Sequence, residues 1–134
     1  LVGYFTLANK DMIVSTRRLK GKLKKRLSRF STPMPEIKAL RIPMPLIGQL
    51  GKNYNHGYNS LITGDQLLDM ACEQVKKVQL VLGGRYVYLE CEDKPALLEF
   101  YERNGFCQFE KRKLDSDETG LTGEYLVQML KYIE

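Results

Sequence analysis

Two consecutive glycines, Gly83 and Gly84, separate two apolar periodicities, and that switch limits what the chain can fold into. Before them, from Gly64 onward, Leu67, Leu68, Ala71, Cys72, Val75 and Val78 recur at helical spacing. After them, residues 85–91 (RYVYLEC) form a β-branched and aromatic run that reads as a strand. The glycine pair stops the helix. Lys94-Pro95 then opens a second amphipathic helix, with proline near the first turn, where its missing N–H costs little. Leu97, Leu98, Phe100 and Tyr101 lie in that helix, and Asn104-Gly105 ends it. Helix, strand and helix with short connections predict helices packed on a sheet, an α/β or α+β plan.

The flanking segments extend the same plan. Residues 2–8 read as a strand, Asn9-Lys10 or Lys10-Asp11 as a turn, and residues 12–14 as a further short strand. Ser15 or Thr16 is suited to cap a helix on which Leu19, Leu23, Leu27 and Phe30 form an apolar stripe. Prolines 33 and 35 end that helix. An exposed stretch follows, then a strand at residues 45–51 and a polar, glycine-bearing loop over residues 53–60. Residues 106–113 and 124–133 read as strands joined by a loop at 115–123. The length suits one domain, residues 1–134, with a basic helical insertion at 15–37. The chain opens inside a strand-like segment without an initiating Met, which predicts a domain that is incomplete at its N-terminus.

Charge is concentrated in that insertion. Arg17, Arg18, Lys20, Lys22, Lys24, Lys25, Arg26 and Arg29 fall within thirteen positions, and no acid occurs between Ser15 and Pro35. Without them acids outnumber bases, so the net charge of +5 belongs to one segment. Its reach at ordinary salt is about 10 Å. A solvated helix, a surface for nucleic acid and a contact with an acidic membrane face are all compatible with it. No aromatic residue is interleaved with the bases, so stacking on nucleobases is not signalled.

Cys72, Cys91 and Cys107 are widely spaced and His56 is the single histidine, which argues against a Cys/His metal site. Reduced thiols in a cytoplasmic protein are the expectation. No stretch approaches the roughly 18 apolar residues of a membrane span.

Residues 88–106 (YLECEDKPALLEFYERNGF) are the most informative. They resemble the strand-to-helix unit of GNAT-superfamily acetyltransferases, whose helix carries a Phe-Tyr-x-x-x-Gly-Phe signature. Phe100-Tyr101 and Gly105-Phe106 stand at that spacing. Residues 46–71 resemble the family's coenzyme-binding strand, loop and helix. The likeness extends weakly to the subgroup that includes acetyltransferase toxins.

What the resemblance implies is a mixed, mostly antiparallel sheet flanked by helices, with acetyl-CoA as co-substrate and no metal. Tyr101 becomes the acid that protonates the departing sulfur. The main chain of Gln49, Leu50, Gly51 and Lys52 lies beside the pantetheine arm. The pyrophosphate falls to the loop in register, where Asn59, Ser60, Ile62, Thr63 and Gly64 stand, with Lys94 added at the start of the second helix. That loop departs from the family pattern: only Gly64 of its glycines is kept, and it is about two residues longer. Gly64 is expected to open the helix in a conformation closed to bulkier residues, and Ser60 and Thr63 to supply hydroxyl donors.

The chemistry is consistent with those residue types. A phenol of ordinary pKa about 10 can protonate a thiolate whose thiol has a pKa of about 8.5. Glu92 or Asp93, at the strand end, could accept the amine's proton directly or through water. Cys91 as an acyl carrier is a weaker alternative, having no histidine near it in sequence. A small amine, a protein amine and aminoacyl-tRNA remain open as acceptors, and a homodimer is not excluded. A non-catalytic module that binds nucleic acid through residues 16–30 is the competing reading.

Overall fold

Tyr86, Tyr88 and Glu90 alternate with Val87, Leu89 and Cys91, so one strand feeds side chains to both faces of a sheet, and it stands at the centre of that sheet. The computed structural model describes residues 1–17, 19–121 and 123–134. In chain order the elements are β1 (Gly3–Ser15), α1 (Gly21–Ser28), β2 (Thr32–Met34), β3 (Ala39–Lys52), α2 (Gly64–Leu82), β4 (Tyr86–Glu92), α3 (Pro95–Arg103), β5 (Cys107–Lys113) and β6 (Tyr125–Tyr132). Short 3-10 segments, Pro35–Ile37 and Asn55–Leu61, precede β3 and α2.

The six strands form one sheet in the order β1-β3-β4-β6-β5, with β2 paired to β3. Among the described residues only β3 and β4 run parallel; the other pairs are antiparallel. The expected mixed, mostly antiparallel sheet flanked by helices is therefore the observed architecture.

Each face has its own core. On one, Leu68, Ala71, Cys72 and Val75 of α2 pack on Ile47, Val87, Leu89, Cys91, Val127 and Met129, with Leu97, Phe100 and Tyr101 of α3 beside them. On the other, Leu19, Leu23, Leu27 and Phe30 in and beside α1 cover Val14, Ile42, Met44, Tyr86 and Tyr88. The guanidinium of Arg26 also lies over the Tyr132 ring, 4.9 Å from its centre. α1 is thus fastened by its apolar stripe, while Lys22, Lys24 and Lys25 are exposed. Arg18 of the basic segment lies outside the described residues.

Several local expectations change. β1 runs straight through Asn9 and Lys10, because β3 supplies a partner at every step, Asn9 facing Pro45 and Lys10 facing Met44. β3 begins at Ala39, not near Pro45, and its first residues are buried rather than exposed. α1 starts five residues after Thr16, at Gly21, and Lys20 takes the cap position without a side-chain bond. Thr16 donates instead to the Lys38 carbonyl, 2.8 Å away. Val78 is on the exposed side of α2.

Candidate functional site

A bulge creates the site. Thr6 pairs with Gln49 and Leu7 with Ile47, leaving Gly48 as an extra residue on β3. An extra residue bends a strand and increases its twist. A side chain at Gly48 would meet the Thr6 hydroxyl at 3.1 Å, so the close approach favours glycine. Gly51, farther along the same strand, is equally tight, since a side chain there would meet the Tyr4 ring at 3.1 Å. β3 and β4 pair only at Leu46 with Tyr88 and Ile47 with Leu89. Beyond that point they part, so residues 49–52 stay paired to β1 and residues 90–92 to β6, while their facing edges do not pair with each other.

The gap is a cavity of about 390 Å³ that passes through the sheet. Gly48, Gln49 and Leu50 form one wall, and Cys91 and Glu92 the other. Leu97 and Tyr101 of α3 close one side, and Leu121 and Leu126 border the opposite side.

Tyr101 is held by geometry. Its ring meets Phe100 at 4.9 Å and Phe106 at 5.9 Å, edge to face. Phe106 can return there because Gly105 adopts φ +91°, a conformation that side chains oppose. The amides of Asn104 and Phe106 both donate to the Tyr101 carbonyl, at 3.1 and 3.0 Å. This accounts for a Gly-Phe pair after the tyrosine helix. Burial, then the Cys91 sulfur, push the phenol above its usual 10.0, so it keeps its proton through the neutral range. Burial, with Asp93 and Glu92 adding to it, also pushes Cys91 up to about 11. Cys91 is therefore a thiol at neutral pH, and the described histidine, His56, lies in the 55–61 segment, which argues against an acyl-carrying role.

Glu92 lines the cavity and its carboxylate is 3.2 Å from the Lys94 ammonium. Asp93 turns away to pair with Lys111 at 3.0 Å. Of the two acids, Glu92 is the one brought to the gap.

The expected pyrophosphate loop is only partly assembled as anticipated. Ser60 donates its hydroxyl to the Gly57 carbonyl at 2.7 Å, and the Asn59 carbonyl accepts from the Lys52 ammonium at 3.1 Å. Both residues thus serve the local turn. Ile62 is extended, and Thr63 caps α2 through a reciprocal box: its hydroxyl accepts from the Gln66 amide, and its own amide donates to the Gln66 side chain. The Thr63 oxygen is therefore engaged in capping. Gly64 opens α2 but not in a left-handed conformation. Its reason is space, since a side chain there would meet the Phe100 ring at 3.2 Å.

Asp65 locks the start of α2 to the end of α3. Both its oxygens accept from Arg103, at 3.1 and 3.0 Å, and Asn104 donates at 2.8 Å. The Arg103 bond, then the Asn104 bond, lower the Asp65 carboxyl to about 2. A depressed carboxylate contributes stability above its unfolded value of 3.8 and loses it as pH falls through about 2. Asp65→Asn is expected to remove that component of acid unfolding between those limits, measured by circular dichroism against pH. An unchanged acid profile would show that the lock is not formed.

Among the described residues no group of three or more His, Cys, Asp or Glu is arranged to hold a metal, and no helix is long and apolar enough to cross a membrane. Sequence reasoning missed Glu90, Arg112 and Glu118, which also border the cavity. The alternation of β4 was the available signal for Glu90, since it sets that residue opposite Cys91.

No protein-family model and no curated protein matches this sequence. Solved structures do. A bacterial toxin is 23% identical, with a TM-score of 0.61 over 98% of this chain and 60% of its own. AtaT complexed with acetyl-methionyl-tRNAfMet is 19% identical, with a TM-score of 0.53 over 94% of this chain and 61% of its own. Nourseothricin acetyltransferase is 18% identical, with a TM-score of 0.52 over 68% of this chain and 51% of its own. This chain thus spans 51–61% of the length of these three structures. The fold is that of the GNAT acetyltransferases.

Proposed function

We propose that this chain is the acetyl-CoA-binding body of an N-acetyltransferase that moves an acetyl group to a primary amine. The observation that carries this reading is the parting of β3 and β4 after one short pairing, directly under Tyr101. An extended pantetheine arm can add to the free edge at Gln49, Leu50, Gly51 and Lys52 as a strand would. The start of α2, at Ile62, Thr63 and Gly64, offers amides and the positive end of a helix dipole to the pyrophosphate. Lys52, at the end of that edge, and Lys94, just before α3, are the cations offered to the phosphates.

In the reaction the amine attacks the thioester carbonyl, the C–N bond forms and the C–S bond breaks. The sulfur takes the Tyr101 proton. Glu92, directly or through water, accepts the proton released by the amine, and solvent reprotonates Tyr101. The competing reading as a binding module leaves the enclosed tyrosine and the parted strands without a purpose.

For the acceptor, the basic surface supports aminoacyl-tRNA in a cytoplasmic setting. α1 lies on the face opposite α2 and α3, so an acceptor entering there would pass the exposed lysines. Incubation of the full-length protein with labelled acetyl-CoA and bulk aminoacyl-tRNA is expected to label the aminoacyl group. Replacing Lys22, Lys24 and Lys25 by Gln should weaken tRNA binding at every sequence and flatten its salt dependence by about 0.9 per lost phosphate contact. Labelling confined to small amines would redirect the acceptor, and no transfer to any amine would overturn the enzyme reading.

A further inference from the structure

Arg112 of β5 sits between two carboxylates from distant parts of the chain. Its Nε donates to Glu90 Oε2 at 2.8 Å and its Nη2 to Glu90 Oε1 at 3.3 Å. On its other side, Nη1 and Nη2 donate to the two oxygens of Glu118 at 2.8 and 3.2 Å. Asp115 stands 3.5 Å from Nη1. Gln128 of β6 donates to the same Glu90 at 2.9 Å.

These partners have a direction. Glu90 pairs with Gln128 across β4 and β6, and Arg112 with Leu126 across β5 and β6. They lie on the face of the sheet that α1 covers, away from Tyr101. Glu118 belongs to the connection between β5 and β6, which also brings Leu121 to the cavity. One guanidinium therefore ties a slot-forming strand to the connection that borders the far mouth. Bidentate pairing of this kind fixes geometry as well as adding energy. The side chains of Glu90 and Glu118 are mostly withdrawn from solvent, at 14% and 25% exposure, so the pairs are screened less than surface pairs.

We infer that Arg112 is a positioning residue for the acceptor side of the slot, holding the β5–β6 connection across the mouth opposite Tyr101 by binding Glu90 and Glu118 together. The inference rests on the acetyltransferase reading for its purpose but not for its test. Without the guanidinium, the two carboxylates repel, the connection swings away, and the mouth widens.

Cys91 lines the slot and Cys72 is buried on the sheet side of α2, so their alkylation by iodoacetamide, mapped by peptide mass, separates local opening from general loosening. In Arg112→Gln, Cys91 is expected to react roughly tenfold faster than in the parent while Cys72 is unchanged, as for a local opening. Glu118→Gln should open the mouth in the same way with both strand partners intact, and Arg112→Lys should recover part of the protection. The inference is overturned if Cys91 reacts no faster in either Gln variant, or if Cys72 and Cys91 accelerate together. Protection of Cys91 by saturating acetyl-CoA in the parent protein is a separate arm. Its failure counts against the coenzyme reading and leaves the clasp result standing.

Discussion

Tyr101→Phe is expected to lower turnover by roughly 10²- to 10⁴-fold, the usual worth of a positioned proton donor, while leaving acetyl-CoA affinity within a few fold. The ring would keep its edge contacts with Phe100 and Phe106, so the variant removes an acid without removing a wall. The separation of effects is the informative part. An interaction made only as the sulfur leaves lowers kcat and kcat/KM together, whereas loss of a binding contact raises KM alone. Since burial raises the phenol above 10.0, the parent's activity should show no loss of the acid form through the neutral range. An unchanged turnover in Tyr101→Phe would remove the phenol from the mechanism.

Leu27→Ala is expected to cost about 2–5 kcal/mol, as deletions of fully buried leucines do. Leu27 is 0% exposed although it stands among Lys24, Lys25, Arg26 and Arg29. It packs in the core that joins α1 to β3 and β4. A loss of that size is a large share of the roughly 5–15 kcal/mol typical of a domain. Lys24→Ala, next to the stripe residue Leu23 but exposed, should change stability by less than about 0.5 kcal/mol. Urea unfolding of both variants provides the comparison. If Leu27→Ala were as mild as Lys24→Ala, α1 would be a solvated appendage and its basic surface would have no fixed relation to the slot.

The apolar stripe of α1, the buried side of α2 and the strand after Gly83-Gly84 were legible because their signals are local. Leu27, Leu68 and Val87 each fall on a repeat that a short window contains. The bounds were less so. Asn9-Lys10 has the composition of a turn, but a partner strand at every step outweighs local preference. The strand read from Pro45 onward, after an exposed stretch, in fact begins at Ala39. The helix after Thr16 was drawn too long, because Thr16 bonds across to Lys38 rather than to its own helix.

At the site, the shared neighbourhood of Tyr101 and the Gln49–Leu50 wall was legible from a motif and its spacing, with Glu92 offered only as one of two strand-end acids. The opening itself was not. It depends on Gly48 having no opposite number on β1, a matter of register between segments about forty residues apart, which no window contains. Arg112, Glu90 and Glu118 were missed for the same reason, since their meeting is made by strand order. In the loop before α2, Ser60 and Gly64 were singled out from the pattern, and the structure gives each a further local role, one hydroxyl bonding Gly57 and the glycine leaving room for Phe100.

Amide hydrogen exchange with and without acetyl-CoA tests the slot most directly. Insertion of the coenzyme arm should slow the amides of residues 49–52 and those at the start of α2, and leave residues 39–41, already paired on both edges, as they were. Exchange at residues 49–52 that is unaltered by millimolar acetyl-CoA would contradict the account, whatever else on the molecule the coenzyme touches.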